Sequence, residues 1–252
     1  MKMTFFLLAF SLFFVQCKKD DVPPELDKTV KKSTITFKSG DDLTITADTY
    51  IAEANSEFIL LCHQAGYSRG EYKDTAVKFG ENGYNCMAID QRSGNEVNGV
   101  VNETAKAAAV AGLGTSYLDA EIDIIAAIDK AYALNGNKPI FILGSSYSSS
   151  WALLLGKDNP KVKAVAAFSP RENLPGKNIT SELTGYAKPM FVTSAQSETA
   201  TVTNLVVNVP AQYLTHYKSQ KAGIHGASCL WDTTVGSDEY WTAMLGFLEA
   251  NK

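Results

Sequence analysis

The chain has 252 residues, 45% of them apolar and 20% charged, with a formal net charge of −4. A length of this order suits one α/β domain, and the apolar share excludes a disordered chain. The acidic balance, with no Lys/Arg stripe interleaved with aromatics, leaves no electrostatic footprint for nucleic acid.

Lys2 precedes an apolar run over residues 3–15 that is too short to span a bilayer, which predicts an export signal over residues 1–16. The run ends at Val15-Gln16-Cys17-Lys18-Lys19-Asp20-Asp21 and resembles a bacterial lipoprotein signal, in which the Cys becomes the acylated first residue after cleavage. That resemblance implies a lipid anchor on Cys17 and a membrane as partner. With Lys18 and the charged run behind it, it also implies display on the outer membrane or cell surface. Residues 17–30 are polar and hold Pro23-Pro24, which predicts an anchor and tether that bury too little surface to fold. The folded domain is expected over residues 31–252.

Residues 33–38 and 43–50 alternate apolar with Thr or Asp around Ser39-Gly40-Asp41-Asp42, the pattern of a hairpin with one wet face at a sheet edge. Residues 58–62, 85–89, 140–143, 162–168 and 190–193 are instead short, nearly continuous apolar runs, as parallel strands buried on both faces require. Helices are predicted over 71–79, 147–156 and 240–250. Another carries an apolar stripe of Leu118, Ile122, Ile125, Ile128 and Tyr132 and stops at Asn135-Gly136. Residues 91–116, rich in Gly, Ala and Asn, are left as a long loop, expected to wall a substrate pocket. Residues 211–217 look like a further strand. Strands alternating with helices imply an α/β fold, doubly wound, with a mostly parallel central sheet, an antiparallel N-terminal edge and helices on both faces. No G-x-G-x-x-G follows the first parallel strand, so no nicotinamide cofactor is indicated. Beyond Cys17 the cysteines are Cys62, Cys86 and Cys229; buried thiols are expected for those in strands, and their spacing suggests no metal site.

Residues 141–148 read Phe-Ile-Leu-Gly-Ser-Ser-Tyr-Ser, a strand, a turn of small residues and the start of a helix. That is the context of a nucleophile elbow with Ser146 at its tip and with Gly144 and Ser148 as the small residues two before and two after. A Ser hydroxyl needs a neighbouring base and a third group to orient that base. Of the three histidines, His225 lies in Gly223-Ile224-His225-Gly226, a Gly-flanked loop before the last helix; His216 falls inside a strand pattern and His63 ends one. The base is therefore placed at His225. The acid is expected after the strand at 190–193, where Glu198 is the first carboxylate, with Glu172 after the preceding strand as the alternative.

The elbow, the order Ser146, Glu198, His225 and the loop His63-Gln64-Ala65-Gly66 together resemble the α/β-hydrolase superfamily, most closely the small dienelactone-hydrolase-like esterases. That resemblance implies an acyl-enzyme mechanism on a small carboxylic ester, with oxyanion amides on Tyr147 and on Ala65 or Gln64. It leaves His63 a structural role. Asp90-Gln91-Arg92-Ser93-Gly94 is similar to the family's D-x-R-x-G turn, so Asp90 and Arg92 are expected to tie down loops. This chemistry calls on no metal or organic cofactor. A non-catalytic binding module on the same fold, anchored to the cell surface, and an acyltransferase with the same triad remain alternatives; oligomeric state and natural substrate stay open.

Overall fold

The computed structural model describes residues 29–252; the expected export signal and Cys17 lie outside them. Eight strands form one sheet: β1 (Lys31–Lys38), β2 (Thr44–Ile51), β3 (Glu57–Cys62), β4 (Tyr84–Ile89), β5 (Ile140–Ser145), β6 (Val162–Phe168), β7 (Met190–Thr193) and β8 (Leu214–His216). Their spatial order is β1-β2-β4-β3-β5-β6-β7-β8. β2 runs antiparallel to both β1 and β4, and every pairing from β4 to β8 is parallel. This is the α/β architecture that the strand patterns predict.

Side chains on the central strands alternate between two cores. Phe58, Leu60 and Cys62 of β3 and Ile140 and Ile142 of β5 join one cluster, while Ile59, Leu61, Phe141 and Leu143 join the other. With both faces covered, a strand has no polar side to show, which explains the continuous apolar runs. One cluster is closed by α2 (Glu103–Ala111), α3 (Glu121–Leu134), α4 (Tyr147–Lys157), α5 (Ile179–Glu182) and α6 (Thr199–Leu205). The other lies under α1 (Thr75–Glu81) and α7 (Ser237–Ala250). Val30 packs against this second cluster, one residue ahead of β1.

The structure departs from the sequence reading in several places. β2 is buried on both faces along most of its length, because it pairs inward with β4; only β1 has the wet face expected of the whole hairpin. The helix expected over 71–79 is a 3-10 turn at Arg69–Tyr72 followed by α1. The supposed loop 91–116 contains α2 and a two-stranded ribbon of Glu96–Val97 with Val100–Val101. Asn102 caps α2 by accepting the Ala105 N–H at 2.7 Å, and Gly112 ends the helix in the left-handed region. In α3 the buried stripe is Ile124, Ala127, Ile128 and Ala131, with Ile125 exposed and Leu118 ahead of the helix. Small alanines let that helix sit close to the sheet, so the larger isoleucines misplace the face. Residues 211–217 open as a 3-10 turn, and only three residues pair as β8. Cys62, Cys86 and Cys229 are free and buried. No described helix is long and apolar enough to cross a membrane.

Candidate active site

β5 ends at the centre of the sheet, and the chain turns at once into α4. Ser146 sits at the turn with φ 57° and ψ −121°, a region that costs a non-glycine residue about 1–3 kcal/mol. Such a turn brings strand and helix backbones together. A β-carbon on Gly144 would lie 2.4 Å from the Ser148 carbonyl oxygen and 2.5 Å from the Ser149 Cα, so only glycine fits. Ser148, where a second small residue is needed, turns its hydroxyl inward. It accepts the Ser145 N–H at 2.9 Å and lies 2.8 Å from the Cys62 carbonyl oxygen.

Geometry separates the serines that residue type alone leaves equivalent. Ser145 Oγ donates to Glu71 Oε1 at 2.8 Å, Ser149 Oγ donates to the Ser146 carbonyl, and Ser150 Oγ donates to the Arg171 carbonyl at 2.8 Å. All four neighbours are fully buried. Ser146 alone among them meets a histidine, its Oγ lying 2.8 Å from His225 Nε2. On the far side of the ring, His225 Nδ1 is 2.7 Å from Glu198 Oε1.

His225 is carried between β8 and a 3-10 turn at Ala227–Leu230. Its loop passes so close to the elbow that a β-carbon on Gly226 would lie 2.5 Å from Ser145 Oγ, and the φ of 74° there also favours glycine. Glu198 ends a 3-10 turn, Gln196–Glu198, that follows β7. Its other oxygen accepts the Ser169 hydroxyl at 2.7 Å, and Ser169 Oγ in turn accepts the Gly226 N–H at 2.9 Å. The Arg171 guanidinium donates to Glu198 Oε1. Burial alone would push the Glu198 carboxyl up. The hydrogen bonds from His225 and Ser169, with the charges of His225 and Arg171, outweigh that and hold it below the ordinary carboxylate range. Ser169 and Arg171 were not singled out from the sequence, because they meet Glu198 only across adjacent strand ends. Glu172, the alternative acid, accepts the N–H groups of Ile179 and Thr180 at 2.8 Å each and so caps the start of α5, away from His225.

The loop after β3 supplies the facing wall. The Ala65 N–H makes no bond to another protein group among the described residues. The Tyr147 N–H is the first amide of α4, where no helical carbonyl is available to it. Gln64 does not qualify as a second choice, since its N–H is donated to Glu71 Oε2 at 2.8 Å. His63 is fully buried: Nδ1 donates to the Gln64 carbonyl at 2.8 Å and Nε2 accepts the Gln91 N–H at 3.0 Å. Burial pushes this ring down to about 4, so it stays neutral and holds two loops together. His216 lies in β8, and burial with the nearby Lys218 charge brings it to about 4 as well.

Asp90 and Arg92 brace the same rim. Asp90 accepts the N–H groups of Arg69 and Glu103 at 2.8 Å each. Arg92, buried, reaches Asp123 at the start of α3 at 2.7 Å and Asp41 in the β1–β2 turn at 2.7 Å. Beside α4, the Tyr117 ring stacks on Tyr147 with centroids 4.6 Å apart. Ser116, Tyr117, Leu118 and Pro175 line an apolar cavity of about 380 Å³ there. Of residues 91–116, Ser116 lines this cavity. A second depression of about 430 Å³, between Lys73 and Trp241, is lined by none of Ser146, His225, Glu198, Ala65 or Tyr147. Among the described residues no group of three or more His, Cys, Asp or Glu is placed to hold a metal ion.

Residues 53–225 match the family model described as serine aminopeptidase, S33. The fold is similar to that of a Pyrococcus furiosus esterase, with a TM-score of 0.65 and 13% identity over 89% of this chain and 92% of that one. It is also similar to a dienelactone hydrolase from Anabaena variabilis, with a TM-score of 0.65 and 14% identity over 87% of this chain and 96% of that one. A cold-adapted esterase from an Arctic intertidal metagenomic library matches with a TM-score of 0.64 and 16% identity over 88% of this chain and 94% of that one. No curated protein matches by sequence.

Proposed function

The chain belongs to the serine aminopeptidase, S33, family of α/β-fold hydrolases, and from that premise we propose that it cleaves small carboxylic esters through a Ser146 acyl-enzyme. The observation that carries this reading is the unbroken line Ser146 Oγ, His225 imidazole, Glu198 carboxylate, with 2.8 Å and 2.7 Å between its members. His225 Nε2 takes the Ser146 proton as Oγ adds to the ester carbonyl. Glu198 accepts from Nδ1–H, fixes the tautomer and balances the imidazolium that forms. The Ala65 and Tyr147 amides receive the oxyanion. Collapse breaks the ester C–O bond, with the alcohol leaving as His225 returns the proton to it. Water, deprotonated by the same imidazole, then releases the carboxylic acid and restores Ser146.

Ester rather than peptide is favoured by the charges around the site. An aminopeptidase must hold a free α-ammonium, and the carboxylates bonded into the triad and its elbow are already engaged: Glu198 by His225, Ser169 and Arg171, and Glu71 by Gln64 and Ser145. The apolar cavity beside Tyr147 suits an uncharged acyl or alcohol group. In the same spirit we place the protein outside the cell, anchored by lipid on Cys17.

A fluorophosphonate probe tests the mechanism, with covalent labelling expected in wild type and lost in Ser146→Ala. No labelling of folded wild type would turn the reading toward a non-catalytic binding module. A panel of p-nitrophenyl esters against aminoacyl p-nitroanilides tests the substrate class, and faster cleavage of the anilides would overturn the ester assignment. Transfer of the acyl group to an added alcohol in preference to water would favour the acyltransferase.

A further inference from the structure

Glu71 is a fully buried carboxylate in a chain that gives it no cationic partner among its hydrogen bonds. Leaving such a group in the interior without strong donors is costly. Its donors come from three segments far apart in sequence. Oε2 accepts the Gln64 N–H at 2.8 Å, from the peptide immediately before the Ala65 amide. Oε1 accepts the Ser145 hydroxyl at 2.8 Å, from the residue immediately before Ser146. The Ser228 hydroxyl approaches the same Oε1 at 3.4 Å, three residues past His225. Ser145 Oγ also accepts the Ala227 N–H at 2.8 Å, and the Trp231 ring N–H donates to the Glu71 carbonyl at 2.8 Å, so the His225 loop is held twice more.

We propose that Glu71 is a positioning residue which, by accepting from Gln64, Ser145 and Ser228 together, sets the mutual register of the oxyanion loop, the nucleophile elbow and the histidine loop. This rests on the serine-hydrolase reading above and assigns Glu71 no contact with substrate. Each hydrogen bond lies one to three residues from a group that must be placed within a fraction of an ångström, so the carboxylate acts on geometry through the backbone. The ionised form offers all three donors one charged acceptor, whereas a proton on Oε1 leaves a neutral carboxyl that a serine hydroxyl accepts from and holds less tightly.

That difference in strength gives the clamp a pH signature. Burial pushes Glu71 up to about 7, against the pull of its hydrogen bonds from Gln64, Ser145 and Ser228. The titratable groups facing it are the Tyr72 phenol on its own turn and the Cys229 thiol on the turn after His225. Burial raises both well above their ordinary values, and they stay uncharged through neutral pH. His63, behind the Gln64 peptide, is neutral as well. The clamp is therefore tightest above about 7 and weakens as pH falls through that value.

The test is Glu71→Gln in the full chain, which keeps the shape and removes the charge. Fluorophosphonate labelling is expected to slow by about tenfold to a hundredfold, as misplacement of reacting groups does. For a p-nitrophenyl ester, kcat should fall while KM changes little, and the acid side of the kcat/KM profile should lose one proton's dependence. Wild-type labelling rate and an unchanged pH profile in folded Glu71→Gln would overturn the clamp and leave the serine-hydrolase reading standing. Absence of labelling in wild type would instead sink both. Should Glu71→Gln not fold, Ser145→Ala and Ser228→Ala each remove one donor and are expected to slow labelling; wild-type rates in both overturn the proposal.

Discussion

Arg171 and His225 donate to the same oxygen of Glu198, one from the loop after β6 and the other from the loop after β8. The carboxylate therefore answers to a fixed cation as well as to the imidazole. The Arg171 side chain is 42% exposed, so solvent screens much of its charge. What it adds is orientation and a further lowering of Glu198. A carboxylate held below its ordinary value stabilises the fold above the unfolded-state pKa of 4.5, and loses that contribution as pH falls through the depressed value. Arg171→Met should raise Glu198 toward its ordinary value, so that the variant loses thermal stability at a higher pH than wild type on acidification. Tm measured between pH 7 and pH 3 checks this, and parallel curves for the two proteins would show that Arg171 contributes nothing to the carboxylate.

The elbow separates two small residues that look interchangeable in sequence. Gly144→Ala puts a β-carbon 2.4 Å from backbone oxygen and should cost more than about 2 kcal/mol, with folded protein lost or Tm sharply lowered. Ser148→Gly makes the motif more conventional but deletes a hydroxyl on which the Ser145 N–H and the Cys62 carbonyl depend. It should lower stability by about 1–3 kcal/mol, since buried polar groups lose their partner. Because Ser146 and His225 are not touched, the labelling rate should stay within about threefold of wild type, well short of the loss expected when a transition-state donor is removed. A higher Tm for Ser148→Gly would show that the hydroxyl is dispensable.

Tyr117 forms one wall of the apolar cavity and lies flat on Tyr147. Tyr117→Ala enlarges that space, so preference should move toward longer acyl chains, by about tenfold or more in relative kcat/KM per methylene accommodated. A series of p-nitrophenyl esters from acetate to octanoate reads this directly. An unchanged chain-length profile would mean that the acyl group binds elsewhere.

Much of this architecture is legible in the residues because both faces of the central strands are buried, which leaves unbroken apolar runs at 58–62, 85–89 and 140–143. The residues that the structure brings together as Ser146, His225 and Glu198 were readable because each follows a strand and the fold prescribes their order. α2 escaped notice because alanine carries little apolar contrast, although Asn102 and Gly112 stood at its ends as caps. Ser169, Arg171 and Glu71 act through neighbours 29, 27 and 74 positions away, and such pairings arise only once the sheet is assembled.

Cys17 makes the export proposal testable. Growth with an alkyne-tagged fatty acid should label the wild-type protein and not Cys17→Ser, and only the wild type should partition into a detergent phase. Equal partition of both would remove the lipid anchor from the account.

The register of β1, β2 and β4 fixes the level at which the first strand starts. Lys31 pairs with Ile51, and Tyr50 pairs with Cys86 toward the beginning of β4, whereas Ser146 follows the last residue of β5. Lys31 thus stands at the floor of the sheet and Ser146 at its ceiling. Attachment through the residues ahead of β1 would therefore join the domain at the end of the sheet opposite Ser146, on the far side from the triad.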